Sequence, residues 1–430
     1  MLRRLYAQWM FAWETRLTTR DTNRLVRPLE WGFDWLADWI DSWAATLPGP
    51  ERTRLLQQIA ADDPAENEAA LLAINAGIVA GSDRFHRYTT PSDFRLEERY
   101  PQLFPTNVRP ETLRKDARLQ QQAAQGRLSK AQYLRFTSPV RTRFPENDQV
   151  NARWYPAPQQ KLRRSPRRAM IVLPQWNADA FSHNALCTLF NRMGISALRL
   201  SKPFHDVRRP AELERSDYAF SSNLGRTIAA CRQAVADIRS CLDWLEQQGY
   251  EDFGILGTSL GSCYAFIASA HDPRLRVHVF NHAATWVGDV VWTGQSTRHI
   301  RAAFEHAGLT QDRLRPLWAA ISPMSYIDCY AGTAPVRQAA PWPRKQARLI
   351  YAPYDLTFLP EFPRAAIRQF AAHGAHLDVK VLPCGHYTTG ETPFQYLDGW
   401  YMASYVYQSM RAAKKSAQPA VRTGKENVAP

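Results

Sequence analysis

Short apolar runs alternate with longer segments of helical spacing through most of the chain beyond residue 130. The runs read as buried strands and lie at residues 170–173, 195–200, 253–256, 277–280, 349–352 and 379–382. Two earlier runs, at 136–140 and 151–155, predict a pair of opening antiparallel strands. Strands that alternate with helices in this way are typical of a parallel sheet. The pattern therefore predicts an α/β fold with a mostly parallel sheet and helices on both faces.

The most informative motif lies between one of these strands and a helix. Ser259 is the centre of Gly257-Thr258-Ser259-Leu260-Gly261, after the run 253–256 and before the helical segment 262–270. A serine in a tight turn between strand and helix is a nucleophile elbow, which holds the hydroxyl above the sheet. The glycines suit the close approach of the two backbones there. The context makes the motif much more specific than the pentapeptide alone.

The partners of such a serine follow it along the chain as an acid and then a histidine. Asp355 comes directly after the strand-like run 347–352, and His386 ends the turn Pro383-Cys384-Gly385-His386 after the run 376–382. A serine needs a base to become a good nucleophile, and an imidazole titrates near neutral pH. A carboxylate orients that imidazole and stabilises its charged form. We therefore expect Ser259 as nucleophile, His386 as general base and acid, and Asp355 as orienting acid.

Two other residues compete for these roles. Asp289 could supply the acid, but it lies further past the end of its strand than Asp355 does. His282 also follows a strand, but it precedes Asp355 and breaks the expected order. The order of residues therefore favours Asp355 and His386.

An oxyanion hole is expected from two backbone N–H groups. One is that of Leu260, the residue after the nucleophile. The other belongs to the loop Pro174-Gln175-Trp176-Asn177, which follows the strand at 170–173. Proline has no N–H to donate, which leaves Gln175 or Trp176, and the distance from the strand end favours Trp176.

Together these residues resemble the α/β-hydrolase superfamily over about residues 136–410, in the manner of its serine esterase and lipase members. Proteins described only as abhydrolase-domain-containing have a similar Gly-Thr-Ser-Leu-Gly elbow. The segment Leu173-Pro174-Gln175-Trp176 departs from the common His-Gly loop. The resemblance implies hydrolysis of an ester, thioester or amide without a metal or organic cofactor, but it does not identify the substrate.

Two insertions are expected to shape the substrate pocket. The segment 201–223 carries His205, Arg208 and Tyr218, and the segment at about 285–343, where relatives carry a lid, carries Trp286 and Trp292. With Gln175, these are the candidate substrate-binding residues. The aromatic residues of the lid suggest an apolar acyl or aryl group in the substrate, although ordinary packing of a small helical layer would look the same.

The N-terminal region, residues 1–130, is predicted to be a mostly helical extension. Leu2, Leu5, Tyr6, Trp9, Met10, Trp13 and Leu17 fall on one helical face, and Trp31, Trp35, Trp39 and Trp43 recur every four residues. An aromatic stripe of this spacing usually packs against a core, which is the favoured interpretation. The alternative is peripheral membrane contact through these tryptophan helices. The hydrolase domain is expected at 131–410, followed by a disordered basic tail at 411–430.

Composition narrows the remaining possibilities. The chain has 430 residues, of which 45% are apolar, so it is a globular protein. Its net charge of +14 is spread along the sequence without a nucleic-acid motif, so no nucleic-acid partner is expected. The six cysteines form no C-x-x-C pair, and no apolar run is long enough for a membrane span or a secretory signal. These features predict a cytoplasmic protein.

The leading hypothesis is a serine hydrolase that cleaves a carboxylic ester with an apolar acyl or lipid-like group through an acyl-enzyme on Ser259. Transfer of the acyl group to an alcohol or amine would use the same three residues. A non-catalytic binding protein with the same fold is a further alternative, although such a protein has no chemical need for the complete set.

Overall fold

The computed structural model describes residues 1–61, 63–102, 110–162, 166–339 and 344–416. Within these residues, nine strands form one sheet in the order β1-β2-β3-β5-β4-β6-β7-β8-β9. The strands are β1 Arg95–Arg99, β2 Ala131–Thr137, β3 Gln149–Tyr155, β4 Arg168–Leu173, β5 Ser196–Leu200, β6 Asp252–Thr258, β7 Leu275–Asn281, β8 Gln346–Tyr351 and β9 Leu377–Val381. The first three strands and β5 pair antiparallel, whereas β5, β4 and β6 to β9 form a parallel series.

Eighteen α-helices accompany this sheet in the described residues. They are α1 Leu2–Thr18, α2 Ala37–Ala44, α3 Gly49–Ala60, α4 Pro64–Ala80, α5 Ser82–Phe85, α6 Pro110–Ala124, α7 Pro145–Asp148, α8 Gln159–Leu162, α9 Asn184–Arg192, α10 Leu224–Gln247, α11 Leu260–His271, α12 Val287–Thr293, α13 Arg298–His306, α14 Gln311–Leu317, α15 Ile327–Ala331, α16 Pro335–Ala339, α17 Glu361–Ala372 and α18 Phe394–Ser416. None of the described helices is long and apolar enough to cross a membrane.

The central strands form the core because their sequences are apolar on both faces. All residues of β5 are buried, and only Arg168 of β4 is partly exposed. Side chains from both faces of the sheet join two large apolar clusters, one of which includes α10 and α11 and the other α9 and α18. A parallel sheet covered on both faces in this way confirms the predicted fold class.

Helix starts follow local side-chain chemistry. Asn223 caps α10 by accepting the N–H of Arg226 at 2.8 Å, and Asp63 caps α4 by accepting the N–H groups of Ala65 and Glu66. Such caps satisfy backbone donors that the first helical turn leaves unpaired. Helix α10 then leads into β6, so its start and end fix the approach to Ser259.

The sheet begins earlier in the chain than the sequence predicted. Strand β1 lies within the region expected to be a helical extension and pairs with β2 through contacts such as Leu96 with Leu134. Its sequence, Arg-Leu-Glu-Glu-Arg, is almost entirely exposed. An edge strand with no buried face gives no apolar alternation, which is why periodicity did not indicate it.

The four tryptophans from Trp31 to Trp43 do not share one helix. Helix α2 begins only at Ala37, after a 3-10 turn at Asp34–Leu36, so Trp31 lies outside it. Trp39 and Trp43 are buried and stacked, with ring centroids 5.5 Å apart. A Cβ on Gly77 of α4 would overlap the Trp43 ring, so this glycine makes room for it. These two rings pack into the core, as the favoured interpretation predicted.

The insertion between β7 and β8 matches the prediction, whereas the start of the C-terminal tail differs from it. The insertion between β7 and β8 is helical and contains α12 to α16, while residues 340–343 at its predicted end lie outside the described residues. The tail was expected to be disordered from residue 411, but α18 continues to Ser416. Residues 417–430 lie outside the described residues.

Candidate active site

Ser259 occupies a strained turn between β6 and α11. Its backbone has φ of 56° and ψ of −122°, a conformation that costs free energy for a residue with a Cβ. A Cβ on Gly257 would overlap the carbonyl oxygen of Gly261, and one on Gly261 would overlap that of Leu173. The two glycines thus let strand and helix approach closely enough to form the elbow, and the second brings α11 against the end of β4.

His386 and Asp355 lie beside this serine. His386 Nε2 is 3.1 Å from Ser259 Oγ, and His386 Nδ1 is 2.9 Å from Asp355 Oδ2. A carboxylate can only accept a hydrogen bond, so Nδ1 carries a hydrogen, and in the neutral ring Nε2 is free to accept the serine hydroxyl. The ends of β6, β8 and β9 lie at one edge of the sheet, and this brings the three side chains together.

The Asp355 carboxylate is buried and fully hydrogen-bonded. Oδ1 accepts the backbone N–H groups of Thr357 and Phe358, both at 2.7 Å. Burial alone would raise the pKa of Asp355, but His386 and His282 beside it hold that pKa well below its usual range. The low pKa of Asp355 favours its charged form beside His386 at neutral pH.

Charge on His386 is favoured by its surroundings. Burial opposes a positive charge on the ring, but the neighbouring Asp355 carboxylate outweighs it and raises the pKa of His386, with a smaller contribution from Glu14. The Phe358 ring stacks on the imidazole, with centroids 5.2 Å apart. The His386 ring thus contacts a carboxylate through Nδ1 and an aromatic ring through its face, and the carboxylate favours the protonated form of the ring.

His282, which the sequence argument set aside, is a third group on the same carboxylate. Its Nδ1 lies 3.1 Å from Asp355 Oδ2, and its Nε2 lies 3.0 Å from Thr389 Oγ1. It follows β7, the strand between β6 and β8, and has a positive φ of 50°. The order rule for the histidine excluded it as a base, but its place at the end of the middle strand was a usable signal that it lies in the site.

The loop after β4 lies against the elbow and is held by polar contacts on several sides. Lys202 Nζ donates to the carbonyl of Gln175 at 3.0 Å, and the N–H of Asn177 points to His205 Nε2 at 3.3 Å. The indole N–H of Trp176 donates to Ser216 O at 3.1 Å. The loop expected to offer a second oxyanion donor is thus fixed in place beside Leu260, the first residue of α11.

A cavity of about 880 Å³ opens onto this arrangement. Ser259 and His386 line it together with Leu260, Gln175 and Trp176, five of the residues predicted for the site. Asp355 lies behind His386 and does not line the cavity.

Three predicted substrate-binding residues from the 201–223 insertion are elsewhere. Arg208 is fully buried and pairs with Asp237 at 2.8 Å, and Tyr218 lies under the guanidinium of Arg226, 4.0 Å from its ring centroid. His205 is buried behind the β4 loop, where it faces Asn177. None of the three is among the residues that line the cavity, so the structure does not bring them together with Ser259 and His386.

The two lid tryptophans are also outside the cavity lining. Trp286 and Trp292 are half-buried and pack against the main apolar cluster, and the guanidinium of Arg301 lies 5.3 Å from the Trp292 ring centroid. The insertion contributes Val287, Val290, Ser296 and Thr297 to the cavity lining instead. Asp289, the rival acid, pairs with Arg315 at 3.0 Å and has no contact with His386. Helical spacing could not tell which side of this layer faces the site.

Two imidazoles and a carboxylate in one cluster also meet the simplest requirement for a metal site. Ligand atoms of His282, Asp355 and His386 all lie within 4.8 Å of one another. Their mutual hydrogen bonds already account for the arrangement, since Asp355 Oδ2 receives both imidazoles.

Comparisons with known proteins agree with this fold. The sequence model of the family described as alpha/beta hydrolase domain containing 18 matches residues 93–304, a little under half of the chain, and includes Ser259 but neither Asp355 nor His386. A protein of Escherichia coli, described as an uncharacterized 31.7 kDa protein in the traX-finO intergenic region, is 36% identical over 83 residues. That match covers 19% of this chain and 28% of the relative's length.

Solved structures resemble the whole body more broadly. Acetyl xylan esterase 1 from Thermoanaerobacterium sp. JW/SL YS485 superimposes with a TM-score of 0.52 at 14% identity, over 78% of this chain and 93% of that one. The acylaminoacyl peptidase of Pyrococcus horikoshii has a TM-score of 0.46 at 10% identity, over 65% and 46% of the two chains. At such identities the likeness concerns the fold. Its elbow, its sheet order and the likeness to acetyl xylan esterase 1 show that the chain has the α/β-hydrolase fold.

Proposed function

We propose that the protein is a serine hydrolase that cleaves a carboxylic ester through an acyl-enzyme on Ser259. The observation that carries the proposal is the continuous hydrogen-bonded chain from Ser259 through His386 to Asp355, at the wall of a large cavity. A Ser-His-Asp chain of this geometry is the arrangement that activates a serine for acyl transfer. The strained elbow adds a nucleophile already presented to the cavity.

The reaction follows from the positions of the protons. His386 Nε2 takes the hydroxyl proton as Ser259 Oγ bonds to the ester carbonyl carbon, and the carbonyl oxygen becomes an oxyanion. The same proton then passes to the leaving alkoxide as the C–O bond breaks. Water attacks the acyl-enzyme with His386 again as base, which releases the acid and restores Ser259. Asp355 balances the charge of the imidazolium in both halves.

In this proposal the oxyanion is stabilised by the N–H groups of Leu260 and Trp176. Both residues line the cavity, and α11 packs against the carbonyls that begin the β4 loop. The N–H of the following residue, Asn177, is directed to His205 and away from this role. Loss of one such donor typically costs ~3 kcal/mol of transition-state stabilisation.

The substrate is proposed to carry an apolar acyl or lipid-like group. The cavity walls include Phe181, Leu186, Leu189 and Phe220 in addition to the lid valines. Polar and charged side chains line other parts of the cavity, so these apolar side chains are proposed to contact the acyl chain of an ester that lies at Ser259.

The test is turnover of p-nitrophenyl esters together with labelling by a fluorophosphonate probe. Ser259→Ala should abolish both, and mass spectrometry of the labelled wild type should identify the peptide that contains Ser259. Ser129→Ala, which changes an exposed serine, should behave as wild type. Normal labelling of Ser259→Ala, or a label on another residue, would refute the assignment. Addition of an acceptor alcohol during turnover would reveal acyl transfer as a new ester product.

We further propose that peripheral membrane contact, if the substrate is a lipid, occurs through α1 rather than through the buried pair Trp39 and Trp43. Leu2, Leu5 and Trp9 recur at helical spacing and are 83%, 52% and 52% exposed, with exposed Arg3 and Arg4 beside them. Apolar and basic residues together suit an anionic lipid surface.

Flotation of the full-length protein with phosphatidylcholine vesicles, with and without phosphatidylglycerol, tests this surface. We expect the wild type to float with the anionic vesicles and Trp9→Glu to remain behind. Leu113→Glu, a change at an exposed leucine of α6, is the matched control and should float. Absence of wild-type flotation, or equal flotation of Trp9→Glu, would exclude α1 as the contact.

A further inference from the structure

The first helix reaches the loop that carries His386, although the two are far apart in sequence. Met10, Glu14 and Leu17 lie at helical spacing on the buried side of α1. The rings of Tyr6 and Phe11 contact Tyr354, the neighbour of Asp355, at 5.7 and 5.4 Å between centroids. Tyr6 also donates its hydroxyl to the carbonyl of Pro383. Helix α1 therefore spans the loops that carry both the acid and the histidine.

Glu14 makes the central contact of this helix with the histidine loop. Its Oε1 accepts the backbone N–H of Tyr387 at 2.8 Å, and its Oε2 accepts the N–H and hydroxyl of Thr388 at 2.9 and 3.0 Å. The Thr388 hydroxyl in turn accepts the N–H of Gly385 at 2.6 Å. The backbone on both sides of His386 is thus tied to one carboxylate.

The absence of a side chain at residue 385 fits this contact. A Cβ on Gly385 would overlap the Glu14 carboxylate, so a larger residue would displace either the helix or the loop. The backbone of Gly385 has no positive φ, and conformational freedom therefore does not explain the glycine. Space for Glu14 does.

Glu14 is also a buried charge whose neighbours include the proposed base. The residue has no exposed surface, and the hydrogen bonds found for its carboxylate come from the backbone and hydroxyl of the His386 loop and not from a Lys or Arg. Burial raises the pKa of Glu14, while the two backbone N–H groups and His386 oppose that rise. A buried carboxylate without a cationic partner is unfavourable, and an imidazolium formed on His386 would compensate it.

We propose that Glu14 is a positioning residue for His386: it fixes the His386 loop against α1 and stabilises the imidazolium formed during turnover. The proposal rests on the proposed function for its catalytic consequence. It makes the N-terminal helix part of the active site and not merely a cover. The other titratable or charged groups around His386 are Asp355, His282 and Tyr387, whose hydroxyl accepts from Arg24.

The first test is the pH dependence of kcat/KM for an ester in wild type and Glu14→Gln. The acid limb reports protonation of the free enzyme's base. Loss of the Glu14 charge removes a contribution that favours the imidazolium, so we expect the limb to move to lower pH. Loss of one charge-assisted hydrogen-bond set should also reduce kcat by about tenfold, with little change in KM. Glu51→Gln, at an exposed position of α3, is the control and should match wild type.

The second test does not require activity. Protein with ¹³C-labelled histidine rings is titrated by NMR, and the His386 signal is assigned by its absence in His386→Gln. We expect a lower pKa of His386 in Glu14→Gln than in wild type. If wild type neither labels nor turns over but this pKa falls, the proposed hydrolase function is wrong and the Glu14 contact stands.

An unchanged acid limb together with an unchanged His386 pKa in folded Glu14→Gln would overturn the proposal. If Glu14→Gln does not fold, the double variant Glu14→Ala, Gly385→Ala replaces it, because the new methyl group at residue 385 falls in the volume that the Glu14 side chain vacates. The same shifts are expected there, and their absence would count equally against Glu14.

Discussion

The loops after β7 and β9 each bring an imidazole to the same oxygen of Asp355, yet of these two rings only that of His386 reaches the serine. His386 lies 2.9 Å from Asp355 Oδ2 and 3.1 Å from Ser259 Oγ. His282 lies 3.1 Å from the same Oδ2, but its other nitrogen faces Thr389. The two histidines share a carboxylate and differ in what lies on their far side. What distinguishes the two histidines is therefore the second contact of each ring, with Ser259 or with Thr389, and not the acid partner that they share.

The largest expected effect separates the two histidines directly. His386→Ala removes the imidazole that contacts Ser259 Oγ, and loss of the base in a triad of this kind lowers kcat by about 10⁶-fold. Steady-state kinetics on a p-nitrophenyl ester should therefore give activity near background, while His282→Ala stays measurable. The opposite ranking would mean that His282 is the base and that the loop after β9 has another role.

The next effect concerns the shared carboxylate. Asp355→Asn keeps the shape of the side chain but removes the charge that both imidazoles face, and the amide can donate to a ring nitrogen and favour the wrong tautomer. A drop in kcat of about 10⁴-fold is expected from this loss. Measured kcat with KM, together with a thermal unfolding curve, distinguishes lost chemistry from lost fold. Activity within tenfold of wild type would show that Asp355 does not orient the base.

A smaller effect is expected from His282. His282→Phe keeps a ring of similar size and removes one hydrogen bond to a buried charge, which contributes ~1.5–3 kcal/mol. If that contribution appears in the transition state, kcat falls by about 10- to 100-fold. His282→Asn, whose amide can replace Nδ1 as donor to Asp355, should recover most of the loss. Equal kcat in the Phe and Asn variants would argue against a role through Asp355.

The two histidines also show how much of the candidate site could be predicted from the sequence. Ser259, Asp355 and His386 could be predicted because each follows a strand that the apolar pattern indicates. The parallel strands β6, β8 and β9 end at one edge of the sheet, which brings these residues together. His282 met the same criterion at the end of β7. His282 was set aside as a candidate because it precedes Asp355 in the chain. The order of strands in the sheet, in which β7 lies beside β8, would have indicated that it is a neighbour of Asp355.

Other contacts were beyond sequence reasoning for physical reasons. Glu14 has the spacing of an ordinary buried helix position, and nothing local shows that α1 packs on a loop more than 370 residues later. Arg208 was a candidate substrate-binding residue because it lies in the 201–223 insertion, but it is fully buried and pairs with Asp237 of α10. The surroundings of Glu14 and of Arg208 are both set by contacts between elements that are distant in the sequence, and hydrophobic periodicity gives no information about such contacts.

The smallest effect is expected from Thr389, whose hydroxyl faces the His282 nitrogen that does not contact Asp355. The Thr389 hydroxyl has one proton and two neighbours that can accept it, His282 Nε2 at 3.0 Å and Gly385 O at 2.7 Å. It therefore links the His282 ring to the loop that carries His386. Thr389→Val removes this link without a large change in volume, and a neutral hydrogen bond contributes ~0.5–1.5 kcal/mol, so kcat should fall by about two- to tenfold. Thr389→Ser keeps the hydroxyl and should retain wild-type kcat.

A double variant tests whether Thr389 acts through His282. In His282→Phe the nitrogen that faces Thr389 is already absent, so adding Thr389→Val should lower kcat by a smaller factor than it does in wild type. Full additivity of the two changes would show that Thr389 and His282 act separately and that the loops after β7 and β9 are coupled only through Asp355.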